Sequence, residues 1–252
     1  MVEIKYGKTE EAYESYTEVL KQIIKTNGFT SILDVGGGAH PMFSLEYIIS
    51  ERLDYTVLDI SKEELARAPH QYNKCQMDIA AADVSFERTF DFVFSRFMAE
   101  HVNDAAQLHA NIYNALRPGG VAVHFFPTLY AIPFVVNWLL PNWMATQFLN
   151  EERRAKGKFP AYYKWCVGPN PKSVRRFTEL GYDVIEYSGF FGHGYYDSVP
   201  LLRNIHGWVR EKVLKYRIGT FTSFAWIILR KPSSASTGKG FPQDGLVKPH
   251  AL

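Results

Sequence analysis

Residues Ser31 to Pro41 read Ser-Ile-Leu-Asp-Val-Gly-Gly-Gly-Ala-His-Pro, and a second apolar run, Tyr55-Thr-Val-Leu, ends in Asp59. Ile32, Leu33 and Val35 suit a short buried strand, and three glycines then allow a sharp backbone turn beneath a ligand. The helical spacing of Phe43, Tyr47 and Ile48 over Met42–Arg52 makes this a strand–turn–helix unit. At the end of the next strand Asp59 is placed to accept hydrogen bonds from two ribose hydroxyls. These features describe a nucleoside-binding βαβ unit.

The glycine spacing selects among nucleosides. A dinucleotide fingerprint would read G-x-G-x-x-G from Gly36, but its third glycine position is Pro41. Asp34 precedes the turn by two residues. An anion there suits a cationic amino-acid headgroup better than a pyrophosphate.

At this point the chain resembles the class I S-adenosylmethionine-dependent methyltransferases, whose first motif is an acidic residue, one residue, then G-x-G-x-G. Here it reads Asp34-Val35-Gly36-Gly37-Gly38-Ala39-His40, with His40 at the third family glycine. Met77-Asp78-Ile79, Phe90–Ser95, Glu100-His101-Val102 and Leu116-Arg117-Pro118-Gly119-Gly120 match later motifs in the family's order. The Glu-His-Val segment is similar to the ubiquinone and menaquinone methyltransferase group. The resemblance implies an α/β, Rossmann-like sheet of seven mostly parallel strands, with helices on both faces. Its antiparallel last strand would lie between the fifth and sixth. S-adenosylmethionine is the implied cofactor. Asp34 would meet its amino-acid end, Gly36 and Gly38 its backbone cradle, and Asp59 with Ile60 its ribose. Met77, Asp78 and Ile79 would surround the adenine, and Ser95 would end the fourth strand beside the transferred methyl.

An oxygen acceptor needs a base, and His101 is the first candidate because it follows the fourth strand closely. His193, between Gly192 and Gly194, is the second. Glu100 and Asp104 lack a third ligand, so no metal is expected. Arg96 is placed to hold an acidic acceptor or to pair with Glu100. His124 reads as a buried, hydrogen-bonded core histidine. Amino-directed DNA methyltransferases of this fold carry Asn/Asp-Pro-Pro-Tyr/Phe where this chain has Ser95-Arg96-Phe97-Met98, so no nucleic-acid partner is expected.

Residues 1–232 read as one domain, with an N-terminal helix over 8–26 capped by Thr9, and 233–252 as a disordered tail. Tyr13 and Tyr16 of that helix either pack on the body or touch the cofactor. Ser61 with Glu64 opens a helix after Asp59, Asn170-Pro171 and Gly181 bound another, and a later one turns Trp208 inward. Within the domain, 127–169 is too long for a simple connection. It carries Trp138, Trp143, Tyr162, Tyr163 and Trp165 together with Arg153, Arg154, Lys156 and Lys158, and its prolines make it too broken to span a bilayer. The expectation is a lid over a small-molecule, sugar or lipid-linked acceptor, with a surface for peripheral membrane contact.

Residues 1–150 hold 11 cationic and 18 acidic side chains, and 151–252 hold 17 and 8, so the cofactor half is acidic and the acceptor half basic. Cys75 and Cys166 form neither a disulfide framework nor a zinc pattern, and the N-terminus lacks a signal peptide's apolar core, which together point to the cytoplasm. Two competing readings accompany the O-methyltransferase: transfer to nitrogen or carbon, and an idle nucleoside-binding protein acting through a partner.

Overall fold

A computed structural model describes residues 2–129, 160–192 and 200–233. His193, most of the lid and the C-terminal tail lie outside the described residues. In chain order the elements are β1 (Glu3–Lys8), α1 (Thr9–Asn27), β2 (Ser31–Val35), α2 (Leu45–Ser50), β3 (Asp54–Asp59) and α3 (Lys62–Arg67). β4 (Asn73–Gln76), β5 (Phe90–Arg96), α4 (Ala105–Ala115) and β6 (Leu116–Pro127) follow, then α5 (Pro171–Glu179), β7 (Asp183–Phe191), α6 (Pro200–Lys215) and β8 (Phe224–Arg230). A short 3-10 helix, Ala99–His101, lies between β5 and α4.

Eight strands form a single sheet in the order β1-β7-β8-β6-β5-β2-β3-β4. β8 runs antiparallel to both β6 and β7, and every other neighbouring pair is parallel. The antiparallel strand therefore sits where expected, but the described residues form a sheet of eight strands, not seven. The added strand is β1, paired with β7 from Glu3↔Glu186 to Lys8↔Phe191. As an edge strand it is half solvated and rich in charge, so its sequence carries no apolar run to announce it.

Helix α1 buries Ala12, Tyr16, Leu20, Ile23 and Ile24, a stripe at helical spacing, and ends at Gly28, whose φ of 63° is the left-handed cap conformation. Its N-cap is Lys8, with the Glu11 carboxylate accepting from the Lys8 amide. Thr9, expected to cap, instead donates its hydroxyl to the Gly192 carbonyl and ties α1 to the end of β7. The sides of the sheet follow from alternation along β6. Tyr16 packs on Phe125, whereas His109 of α4 packs on the neighbouring His124, so α1 and α4 cover opposite faces. Helix α5 joins α4, with Phe177 edge-on to His109. Trp208, expected to point inward, is exposed instead.

β2 lies between β3 and β5, with chain connections leaving on either side. The crevice beyond the carboxyl ends of β2 and β5 is thus the switch point at which such sheets place their ligands.

Candidate functional site

The glycine loop begins where β2 ends. Gly36 donates its amide to the Leu58 carbonyl at 2.7 Å, which joins the loop to β3, and its φ is 78°. Gly38 has a φ of 46°. A Cβ on Gly36 would stand 2.6 Å from the Met98 side chain, and one on Gly38 would stand 3.0 Å from Asp59 Oδ2. Both glycines meet a backbone conformation and a close approach that other residues would not tolerate.

Asp34 lies buried under this loop. Its Oδ2 accepts from the Met42 amide at 3.0 Å and from the Tyr55 hydroxyl at 2.5 Å. Burial raises its pKa to about 6, against the pull of these two donors and of Arg96. Asp34 therefore braces the loop from below. Tyr55, whose role no local pattern signals, is the partner that makes the brace. Asp59, by contrast, reaches the loop's open side. Its Oδ1 accepts from the Ser61 amide at 2.9 Å, and Ser61 in turn caps α3 through the Glu64 amide. Ile60 beside it is exposed.

Met77 follows β4, with its amide bonded to the Asp59 carbonyl at 3.0 Å, so the ends of β3 and β4 are held together. Asp78 is exposed and accepts from the Ala80 amide at 2.9 Å, while Ile79 is buried. Asp59, Ile60, Met77 and Asp78 thus line one continuous margin next to the glycine loop. Ser95 does not join them. It is buried, its hydroxyl bonded to His124 Nδ1 at 2.8 Å and its carbonyl to the Tyr16 hydroxyl at 2.9 Å. His124 is thus the core histidine expected. Burial drives the His124 pKa down to about 3, so its ring is neutral.

Beyond β5 the backbone turns at Phe97, at a φ of 55°, into the Ala99–His101 helix. His101 Nδ1 lies 2.7 Å from the Pro160 carbonyl oxygen. A carbonyl only accepts, so Nδ1 carries a proton and donates it to this hydrogen bond, which leaves Nε2 as the nitrogen able to accept one. Glu100 Oε1 is 3.7 Å from Nε2, too long for a hydrogen bond. The Glu100 carboxyl is buried and its pKa is raised by that burial to about 8. Its backbone carbonyl accepts from the amides of Tyr162 and Tyr163. The described C-terminal end of the 127–169 stretch is therefore held against the Glu100-His101 segment. Trp165 adds a ring stacked on His109 at 5.6 Å. Arg96, expected to face an acceptor or Glu100, lies over the Phe97 ring. On the same edge Tyr13, Phe97, Phe125 and Phe224 form an aromatic wall with ring separations of 4.9 to 6.0 Å. Tyr16 is core.

The donor set fits a nucleoside cofactor: a backbone cradle with no room for Cβ atoms, one carboxylate at its mouth and a second on the neighbouring margin. Among the described residues there is no cluster suited to a metal ion and no helix long and apolar enough to cross a membrane.

Comparison with known proteins points the same way. Residues 33–124 match the family model described as a methyltransferase domain. No curated protein matches the chain. A solved S-adenosylmethionine-dependent methyltransferase from Clostridium acetobutylicum is similar at a TM-score of 0.56 and 12% identity, over 88% of this chain and 92% of that one. Phosphoethanolamine N-methyltransferase 2 of Haemonchus contortus, solved with S-adenosyl-L-methionine, gives 0.50 and 18%, over 84% and 52%. The cyclase SpnF gives 0.54 and 14%, over 90% and 85%. At these identities the structural neighbours establish the fold, and SpnF shows that the fold also hosts other chemistry.

Proposed function

We propose that this chain is an S-adenosylmethionine-dependent methyltransferase acting on a hydroxyl oxygen of a small-molecule, sugar or lipid-linked acceptor, with His101 as general base. The observation that carries this reading is the 2.7 Å contact between His101 Nδ1 and the Pro160 carbonyl, which fixes the tautomer with a basic Nε2. Bound S-adenosylmethionine supplies the methyl group as an electrophile on its sulfonium. Gly36 and Gly38 would hold it by backbone approach, Asp59 would accept from the ribose hydroxyls, and Asp78, with Met77 and Ile79, would meet the adenine. His101 Nε2 would take the acceptor's hydroxyl proton as the acceptor oxygen receives the methyl group, the methyl–sulfur bond breaking with its electron pair left on sulfur so that the cofactor departs as a neutral thioether. The imidazolium that would result keeps its Nδ1 proton and the hydrogen bond it donates to the Pro160 carbonyl. The aromatic wall of Tyr13, Phe97 and Phe224 supports an acceptor with a ring or an apolar body.

The test is mass-spectrometric detection of methyl transfer to a panel of phenols, glycosides and lipid-linked sugars. His101→Gln is expected to lower kcat by about 10²–10³-fold, while S-adenosylmethionine affinity stays within about twofold. Full turnover by His101→Gln would overturn the assignment of the base. A methylated amine or carbon as the sole product would overturn the oxygen acceptor.

A further inference from the structure

The segment from Trp208 to Phe221 has no part in the site above, and its surface is unusual. Trp208, Tyr216 and Phe221 are 65%, 64% and 52% exposed, and Ile218 is exposed as well. Single exposed apolar residues are ordinary, but four within fourteen positions, three of them aromatic, make a cluster. The same stretch holds Arg210, Lys212, Lys215 and Arg217 against one acid, Glu211. On α6, Trp208, Lys212 and Lys215 stand at i, i+4 and i+7, a shared face. Lys212 Nζ lies 5.7 Å from the Trp208 ring centre and Lys215 Nζ 5.9 Å from that of Tyr216. Arg210 is turned elsewhere, paired with Glu10 of α1.

Topology puts this cluster at the working edge of the sheet. The chain leaves the carboxyl end of β7 at Gly192, and it re-enters the sheet at Phe224, which pairs with Phe190 and Pro127 at the carboxyl ends of β7 and β6. Gly219 packs against Gly168 and Pro169, where the described end of the lid returns to the body. Departure and return of this segment are thus both on the edge that carries the glycine loop and His101.

We propose that Trp208, Lys212, Lys215, Tyr216, Arg217, Ile218 and Phe221 form a docking surface for an anionic lipid bilayer. Aromatic rings with cations beside them match the headgroup layer, where the rings settle between apolar chains and water and the cations meet lipid phosphates. The charge argues for lipid: a second copy of this chain would bring the same cations against themselves. The inference refines the reading of the acceptor as lipid-linked, and binding to membranes is measured without any acceptor, so the two can fail separately.

The experiment is co-sedimentation of the full chain with phosphatidylcholine vesicles, alone or with 30 mol% phosphatidylserine, at about 0.05 and 0.5 M salt. Binding to the anionic vesicles only, weakened at high salt, is expected. Lys212→Gln/Lys215→Gln should lower partitioning by about tenfold or more, and Trp208→Ala by about fivefold to tenfold. Each variant should retain the wild-type melting profile and S-adenosylmethionine affinity. Absence of anionic vesicle binding overturns the proposal. So does binding that survives both variants, which assigns it to another part of the chain. Concentration-dependent self-association abolished by Trp208→Ala, without vesicle binding, assigns the surface to a protein interface instead.

Discussion

Asp59 reaches the open side of the glycine loop, where it takes the Ser61 amide on one oxygen and faces Gly38 with the other. With Asp59 on the ribose hydroxyls as proposed, Asp59→Ala should cost about 2–3 kcal/mol in S-adenosylmethionine affinity, or roughly 30- to 150-fold by calorimetry, because both hydroxyls would lose a charged partner. Glu100 is its opposite. Its carboxyl is buried, Oε2 has no hydrogen-bond partner among the described residues, and burial raises its pKa to about 8. A carboxyl held above its ordinary pKa binds its proton more tightly in the folded state. Its contribution to stability is therefore complete below about pH 4.5 and is lost as the pH rises through about 8. Denaturant melts across that range should show a decline on the order of 3–5 kcal/mol that Glu100→Gln flattens. An unchanged slope in the variant would mean that Glu100 is ionised in the native protein.

At the scale of the element, β1 shows what an edge strand depends on. Its Lys5 reaches across to Glu186 of β7 at 2.6 Å, and Glu186 also accepts from Trp226 of β8 and from Ser188. Lys5→Ala would leave this buried carboxylate without its cation, so a loss of about 1–3 kcal/mol in urea melts is expected. Lys5→Arg should recover part of it. Elements with local signals are legible in residue type and spacing. Asn170 caps α5 with Pro171 at its first position, Gly181 follows its end with a φ of 94°, and Ser61 and Asp104 cap α3 and α4. β1 is not legible in this way, because its partner lies about 180 residues away and its polar face needs no pattern. The Trp208 helix misleads for a related reason. Amphipathic spacing says which residues share a face, and only packing says whether that face is covered.

For the whole molecule, a cofactor that binds only the folded state at the loop tied to β3 through Gly36 and Leu58 would add to stability. A ligand at about one hundred times its Kd adds about 2.7 kcal/mol, so S-adenosylmethionine or S-adenosylhomocysteine should raise Tm by roughly 5–10 °C in a thermal shift assay. Asp59→Ala should remove most of that rise at the same concentration. The sequence by itself determined the βαβ unit, the two glycines, the acid at the end of β3 and the run of strands that follows. These depend on residue type and short spacing, and the backbone conformation they require is local. Tertiary structure alone decided what the side chains do. Tyr55 takes Asp34 across 21 positions, His124 takes Ser95 across 29, and Pro160 fixes the His101 tautomer across 59. A carboxylate becomes a buried brace or stays at the rim, and a histidine becomes a core residue or stays partly exposed, according to which groups the sheet brings against it, and those partners lie too far along the chain for spacing to reveal.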